Sequence, residues 1–211
     1  MSSEFIKRIL SSIILLPLTF FIVIEGSFLF VIFLVICFFI SIYEWNNMSK
    51  NKKYRIAGLF FLLISFLSIY NLRLNSNENY LLFTYIIIIC ISTDIGGYVF
   101  GKLFKGPKLT SLSPNKTFSG MMGSFIMSIL SMFILIYILE DQNLSTNLIV
   151  FVLIISLISQ LGDITVSFFK RLANIKDTGK IIPGHGGLLD RIDGMIFAFP
   201  FSNILIFMNF Y

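Results

Sequence analysis

Four aspartates lie in apolar stretches of the sequence. Asp94 lies in TDIGGYVFG, Asp163 lies in SQLGDITVSFFKR, and Asp190 and Asp193 lie in LLDRID. A carboxylate in or near a bilayer is costly and by default marks a functional site, usually with a cation nearby. Asp190 and Asp193 share a helix face, because they are three positions apart. The alternative is a set of ion pairs that only stabilise the structure, for instance Asp193 with Lys170.

Basic residues and glycines surround the last two of these acids, in residues 170–193. The basic residues are Lys170, Arg171, Lys176, Lys180 and Arg191, and the glycines are Gly184, Gly186 and Gly187. Glycines let the backbone approach a ligand, and these lead into a helix whose first N–H groups favour an anion. Acids for a divalent metal beside cations for phosphate groups are the requirements of phosphoryl or nucleotidyl transfer. The alternative is a glycine hinge with basic residues held at lipid headgroups.

Three further sets of residues could assist such chemistry. The segment SLSPNKTFSGMMG, residues 111–123, offers the hydroxyls of Ser113 and Thr117 and the cation of Lys116, unless it is an ordinary connecting loop. Asp163, Ser167, Lys170 and Arg171 have the spacing of one helix face. The only histidine, His185, cannot form a zinc site alone; it is either structural or a contact to a phosphate.

The elements that must position these residues are predicted to be membrane-spanning helices. Of the 211 residues, 56% are hydrophobic and 13% are charged, and the mean hydropathy is +0.90. A soluble domain carries about 25% charged residues, so the composition favours an integral membrane protein. We predict an all-α polytopic protein with about seven transmembrane helices: 6–24, 27–43, 56–70, 80–100, 120–139, 146–169 and 188–210. The whole chain, 1–211, is then one transmembrane catalytic domain.

The basic residues fix the predicted orientation of these helices. With the N-terminus in the cytoplasm and the C-terminus outside, 15 of the 16 Lys and Arg residues fall on the cytoplasmic side, and only Arg73 does not. This agrees with the rule that cytoplasmic loops collect positive charge, which also explains the net charge of +5 without a nucleic-acid partner. Both long loops, about 101–119 and 170–187, are then cytoplasmic.

Residues 167–193 resemble the signature of the phosphatidate cytidylyltransferase (CDP-diglyceride synthase) family. The match covers S-x-x-KR, four residues, KD, and then PGHGG-x-x-DR-x-D. Upstream, TDIGGYVFG, SPNKTFSG and QLGD resemble other blocks of that family in the same order. The resemblance covers the motif-bearing part, 81–211, whereas 1–80 carry only a hydrophobic pattern. Asn115 and Ser119 depart from the family's third block, where Lys and Glu are usual.

The resemblance implies an enzyme that makes CDP-diacylglycerol and pyrophosphate from CTP and phosphatidic acid. It implies Mg²⁺, with or without a second cation, a homodimer, and a site on the cytoplasmic side of a bacterial inner membrane. The implied catalytic residues are Asp163, Asp190, Lys170, Arg171, Lys176, Asp177, His185 and Arg191. The implied substrate-binding residues are Ser113, Lys116, Thr117, Ser167, Gly184, Gly186 and Gly187. The implied metal ligands are Asp163 and Asp190, followed by Asp94 and Asp193.

Two rival functions fit parts of the same pattern. An ion-coupled transporter also uses intramembrane acids and glycine-interrupted helices, but it is expected to show two related halves, which this sequence lacks. Another CTP-using lipid enzyme, such as a lipid kinase, would share the nucleotide-binding residues and differ in its acceptor. A third alternative is a catalytically inactive relative, since Asn115 and Ser119 depart from the family pattern.

Overall fold

The computed structural model describes residues 17–74, 79–110, 113, 116–139, 146–182, 184 and 186–208. Within these ranges the chain is helical and contains no strand, only two isolated bridges in loops. Residues 17–25 are helical and precede seven named helices. The named helices are α1 (Ser27–Met48), α2 (Arg55–Leu74), α3 (Asn79–Phe104), α4 (Phe118–Leu139), α5 (Thr146–Leu172), α6 (Leu189–Ile192) and α7 (Met195–Phe207).

Helices α1 to α5 are long and apolar enough to cross a membrane. Helices suit this environment because a lipid-exposed backbone must satisfy its own hydrogen bonds. Large apolar side chains along them point outward, including Phe28, Ile56 and Tyr137. The prediction of an all-α polytopic membrane protein is therefore confirmed, whereas the number of spans and the side of each terminus stay predictions.

The apolar segment 188–210 departs from the prediction of one continuous helix. Its helical residues are divided between the four-residue α6 and the 13-residue α7, which contains Pro200. Asp193 and Gly194 separate the two helices but keep right-handed helical backbone angles, so the interruption is a local change in hydrogen bonding and Pro200 does not cause it. Of the predicted first helix, 6–24, only residues from 17 onward lie within the described residues.

One compact unit comprises Met1–Phe83 and Phe169–Asp193. Its apolar core includes Phe30, whose ring meets Phe83 edge-on at 5.6 Å between centroids. Arg73 donates hydrogen bonds from Nε to the Val23 carbonyl at 2.8 Å and from Nη2 to the Ile24 carbonyl at 3.0 Å. This cation therefore satisfies carbonyls at the end of the helical residues 17–25, which intrahelical bonds leave open.

An aromatic cluster lies in the same unit, near the end of α1. Trp45 packs against Phe169 at 5.2 Å and donates from Nε1 to the Arg55 carbonyl at 2.9 Å. Gly58 leaves room for the indole, since a Cβ there would lie 1.9 Å from the ring. These contacts fix the end of α1 relative to the start of α2.

The second compact unit comprises Thr84–Phe168 and Gly194–Tyr211. Ile86, Ile89, Met132, Phe151 and Ile155 are fully buried in its core. Hydrogen bonds join polar groups of different helices in this core. Thr93 Oγ1 donates to Ser156 Oγ at 2.9 Å, and Ser124 Oγ donates to the Thr93 carbonyl at 2.7 Å. Such interhelical hydrogen bonds help to hold helices together where lipid offers no hydrophobic drive.

Candidate active site

Asp190 accepts hydrogen bonds from both ends of the glycine-rich loop of the first unit, residues 176–187. Its Oδ1 accepts a hydrogen bond from Lys170 Nζ at 2.8 Å. Its Oδ2 accepts the backbone N–H groups of Thr178 at 2.8 Å and Gly187 at 3.0 Å. The two charged side chains are only 5% (Asp190) and 12% (Lys170) exposed. One carboxylate therefore joins the start of the loop, its end and the last turn of α5.

These contacts also set the charge of Asp190. Burial alone would raise the pKa of the carboxyl, but the Lys170 hydrogen bond, the Gly187 N–H, the Lys170 charge and the Thr178 N–H together lower the pKa below its ordinary value. Hydrogen bonds to a charged form favour that form. Asp190 is accordingly ionised at neutral pH.

Glu44 is a second buried carboxylate that contacts this loop, and no motif in the sequence marks it. It lies on α1 and is 1% exposed. Its oxygens accept hydrogen bonds from Thr178 Oγ1 at 3.0 Å, from the Leu188 N–H at 2.9 Å and from the Leu189 N–H at 2.8 Å. The available signal was that Glu44 is the only charged residue of α1.

The start of α6 differs from the prediction that it would offer N–H groups to a substrate anion. The N–H of Gly187 is bonded to Asp190, and the N–H groups of Leu188 and Leu189 are bonded to Glu44. The physical reason is that the carboxylates of Asp190 and Glu44 already accept hydrogen bonds from these three N–H groups. These three N–H groups are therefore not available to a substrate anion in this structure.

Most of the predicted cations in residues 170–193 are exposed. The exposed cations are Arg171, Lys176, Lys180 and Arg191, and the acidic Asp177 is exposed as well. The chain turns back through Gly184 and Gly186, which adopt φ values of 77° and 90°, and the Ile182 N–H donates to the Gly186 carbonyl at 3.0 Å. Positive φ values are readily adopted by glycine, which explains the glycines here. His185 lies outside the described residues.

The second unit joins two other predicted residues. Lys116 Nζ lies 2.5 Å from Asp163 Oδ2, and the two side chains are 24% and 30% exposed. The second oxygen of Asp163 has only a long contact, 3.5 Å, with Ser167 Oγ. The Asp163 carboxylate is therefore partly exposed to solvent, and one of its two oxygens has only this weak contact.

The loop before α4 positions Lys116 by backbone hydrogen bonds. The Leu109 N–H donates to the Lys116 carbonyl at 2.8 Å, and the Lys116 N–H donates to the Ser113 carbonyl at 3.0 Å. Thr117 begins the helix, since its Oγ1 accepts the Gly120 N–H at 3.1 Å, as an N-cap side chain does. Ser119, one of the two departures from the family pattern, donates to the Lys105 carbonyl. The other departure, Asn115, lies outside the described residues.

Glycines bring α3 and α4 into close contact below this loop. A Cβ on Gly96 would lie 2.4 Å from the Gly123 carbonyl oxygen, and a Cβ on Gly120 would lie 2.7 Å from the Gly97 carbonyl oxygen. Small residues at such crossings allow backbones to approach within the membrane. Asp94, on the same stretch of α3, is exposed, whereas Asp193 is 9% exposed.

The predicted metal ligands differ in how well they fit a cation. Mg²⁺ is bound through one or two carboxylates with waters and substrate phosphates, so a ligand needs an accessible oxygen. Asp163 is partly exposed and meets this requirement directly, whereas Asp190 is 5% exposed and accepts three protein hydrogen bonds, so it is the less accessible of the two. The role of both residues as metal ligands stays a prediction. Among the residues that the structure describes, no three His, Cys, Asp or Glu side chains form a group that could hold a metal.

A helical membrane protein with acids, cations and glycine-rich loops in these positions has the features of a membrane nucleotidyltransferase. The profile of the group described as the Cytidylyltransferase family matches residues 6–77 and 57–209. The chain therefore belongs to the cytidylyltransferase family, and its resemblance to that family is confirmed.

Curated relatives agree with this assignment. The phosphatidate cytidylyltransferase of Rickettsia felis is 35% identical over 210 residues, which cover 96% of this chain and 91% of the relative. That of Rickettsia conorii is 35% identical, over 99% of this chain and 93% of the relative. That of Staphylococcus saprophyticus is 35% identical over 77% of this chain but 64% of its own length.

Proposed function

We propose that this protein transfers CMP from CTP to phosphatidic acid, giving CDP-diacylglycerol and pyrophosphate. One observation carries the proposal: a relative named phosphatidate cytidylyltransferase aligns with 96% of this chain at 35% identity. The alignment includes both loops described above. The exposed cations of those loops suit a reaction between two polyanions.

The chemistry is a displacement at phosphorus. An oxygen of the lipid phosphate attacks the α-phosphorus of CTP and forms a new P–O bond. The bond from the α-phosphorus to the bridging oxygen breaks, and its electron pair leaves with pyrophosphate. A phosphate monoester is largely ionised at neutral pH, so the attacking oxygen needs no protein base.

The residues of this chain supply charge and position. In the first unit, the exposed Arg171, Lys176 and Arg191 attract phosphate oxygens, while the bonded Lys170 and Asp190 keep the loop in shape. In the second unit, Lys116 carries a charge for a phosphate group and Asp163 offers an open oxygen for Mg²⁺. When bound, Mg²⁺ would offset the repulsion between the substrates and orient the triphosphate.

We further propose that these loops face the cytoplasm, with the N-terminus inside. The support is the charge asymmetry of the sequence, since 15 of the 16 basic residues fall on one side in that orientation. A homodimer in a bacterial inner membrane is the assembly that we expect from the family resemblance.

The experiment that tests the function compares lipid acceptors. Purified protein in mixed micelles receives CTP labelled at the α-phosphorus, Mg²⁺ and one acceptor: phosphatidic acid, diacylglycerol or an isoprenyl phosphate. We expect label in the organic phase with phosphatidic acid only. Transfer to another phosphate-bearing lipid would replace the proposed acceptor, and no transfer from folded protein would contradict nucleotidyl transfer.

The matched variants are Asp163→Asn and Glu25→Gln. Each removes one carboxylate charge, but Glu25 is an exposed residue away from the described motifs. At low Mg²⁺ we expect Asp163→Asn to lose most activity and Glu25→Gln to keep it. Equal activity in the two variants would contradict the role proposed for Asp163.

A further inference from the structure

Glu44 lies in the N-terminal helices, which the family resemblance left without motifs. A carboxylate that is 1% exposed and is the only charged residue of α1 requires compensation for its burial. That compensation comes from three donors of one short segment: Thr178, Leu188 and Leu189. The residue is therefore bonded to both ends of the glycine-rich loop.

Two glycines show that the loop is fitted around this side chain. A Cβ on Gly179 would lie 2.5 Å from Glu44 Oε1. A Cβ on Gly187 would meet the Thr178 hydroxyl first and would lie 2.7 Å from both Glu44 oxygens. A larger residue at either position would therefore force Glu44, Thr178 or the loop to shift, so both glycines make room for the contact between Glu44 and Thr178.

We propose that Glu44 is a positioning residue of the reaction, acting through the loop 176–191. It takes the N–H groups that an anion would otherwise occupy at the start of α6. Asp190 holds the same loop from the other side, through Thr178 and Gly187. With both carboxylates in place, the exposed Lys176 and Lys180 are presented to substrate phosphates. The identity of the substrate in this inference rests on the proposed function, whereas the contacts of Glu44 rest on the hydrogen bonds alone.

The test uses two substitutions that break the same contact from opposite sides. Glu44→Gln keeps the shape of the side chain but turns one acceptor into a donor, and Thr178→Val removes the hydroxyl. Thr178→Ser keeps the hydroxyl and is the conservative rescue, and Glu25→Gln is the charge control. We expect Glu44→Gln and Thr178→Val to raise the KM for CTP about tenfold or more, with a much smaller change in kcat, because phosphate-binding cations are displaced. Thr178→Ser and Glu25→Gln should match the parent protein.

Limited trypsin digestion supplies a readout that does not depend on activity. In Glu44→Gln, cleavage after Lys176 and Lys180 should accelerate about tenfold or more, while cleavage after Lys102 and Lys105 should not change. Equal acceleration at all four sites, with an unchanged KM, would show general destabilisation and overturn the proposal. Parent-like cleavage and kinetics would overturn it as well. If the parent protein labels no lipid but the loop sites still open selectively, the proposed function fails while the anchoring of the loop by Glu44 stands.

Discussion

Lys116 and Asp163 form an ion pair, 2.5 Å from Nζ to Oδ2, although they belong to separate sequence motifs. The lysine side chain is 24% exposed and the aspartate 30% exposed, so water and ligands can reach the pair. Partly exposed ion pairs contribute little to stability, about 0–1 kcal/mol. We therefore expect the pair to matter little for folding, and it remains accessible to a ligand.

This accessibility leads to a prediction about metal dependence. Asp163→Asn should lose most activity at low Mg²⁺ and recover part of it as Mg²⁺ is raised, because a metal ligand is weakened while the loop is kept. The measurement is initial rate against Mg²⁺ concentration, with the thermal unfolding midpoint as a check on folding. A Mg²⁺ dependence identical to that of the parent would remove Asp163 from the metal site.

The buried pair Lys170–Asp190 should behave in the opposite way. Removing one partner of a buried ion pair typically costs about 3–5 kcal/mol, because the other charge stays buried. We expect Lys170→Met and Asp190→Asn each to lower the free energy of unfolding strongly, and the double variant to lose much less than the sum. Unfolding in mixed micelles gives the coupling energy, and additive losses would show that the two residues do not interact.

The lowered pKa of Asp190 predicts how stability depends on pH. A carboxyl whose pKa is lower in the folded state adds stability that is present above its unfolded pKa, about 3.9, and is lost as pH falls through the folded pKa. The unfolding midpoint should therefore fall more steeply below about pH 4 in the parent than in Asp190→Asn. Parallel pH curves for the two proteins would contradict the origin given for the shift.

The glycine contact between α3 and α4 predicts a difference between adjacent residues. A Cβ on Gly96 would meet the Gly123 carbonyl oxygen at 2.4 Å, whereas a Cβ on Gly97 would meet the Ser124 hydroxyl at 3.0 Å. Overpacking costs about 1–3 kcal/mol, so Gly96→Ala should be clearly less stable than Gly97→Ala. Thermal unfolding of the two variants in one detergent measures this. The opposite order would mean that the helices are not in contact at Gly96.

The sequence predicted the local features of this fold well, because hydrophobic runs and charged loops are local signals. Five of the predicted helices have counterparts in α1 to α5, with ends that differ by a few residues. The last apolar segment is interrupted at Asp193 and Gly194, which keep helical backbone angles, and hydropathy alone does not predict such a local interruption.

The candidate site was predicted as a set of residues but not as a set of contacts. Glu44 and Thr178 are 134 positions apart, and no periodicity in the sequence links residues at that separation. The same limit applies to Asp190, whose role as a metal ligand stays a prediction. Its acidity and position were visible in the sequence, but the three hydrogen-bond donors to its oxygens were not.

The most direct test of the central claim is the balance of products from CTP and phosphatidic acid. Lipid-linked CMP and pyrophosphate should form in equal amounts, and CDP should not accumulate, because the bond that breaks joins the α- and β-phosphates. This is measured by following α- and γ-labelled CTP in parallel reactions. Release of CDP with label from the γ-phosphate in lipid would instead identify a lipid kinase and contradict the account.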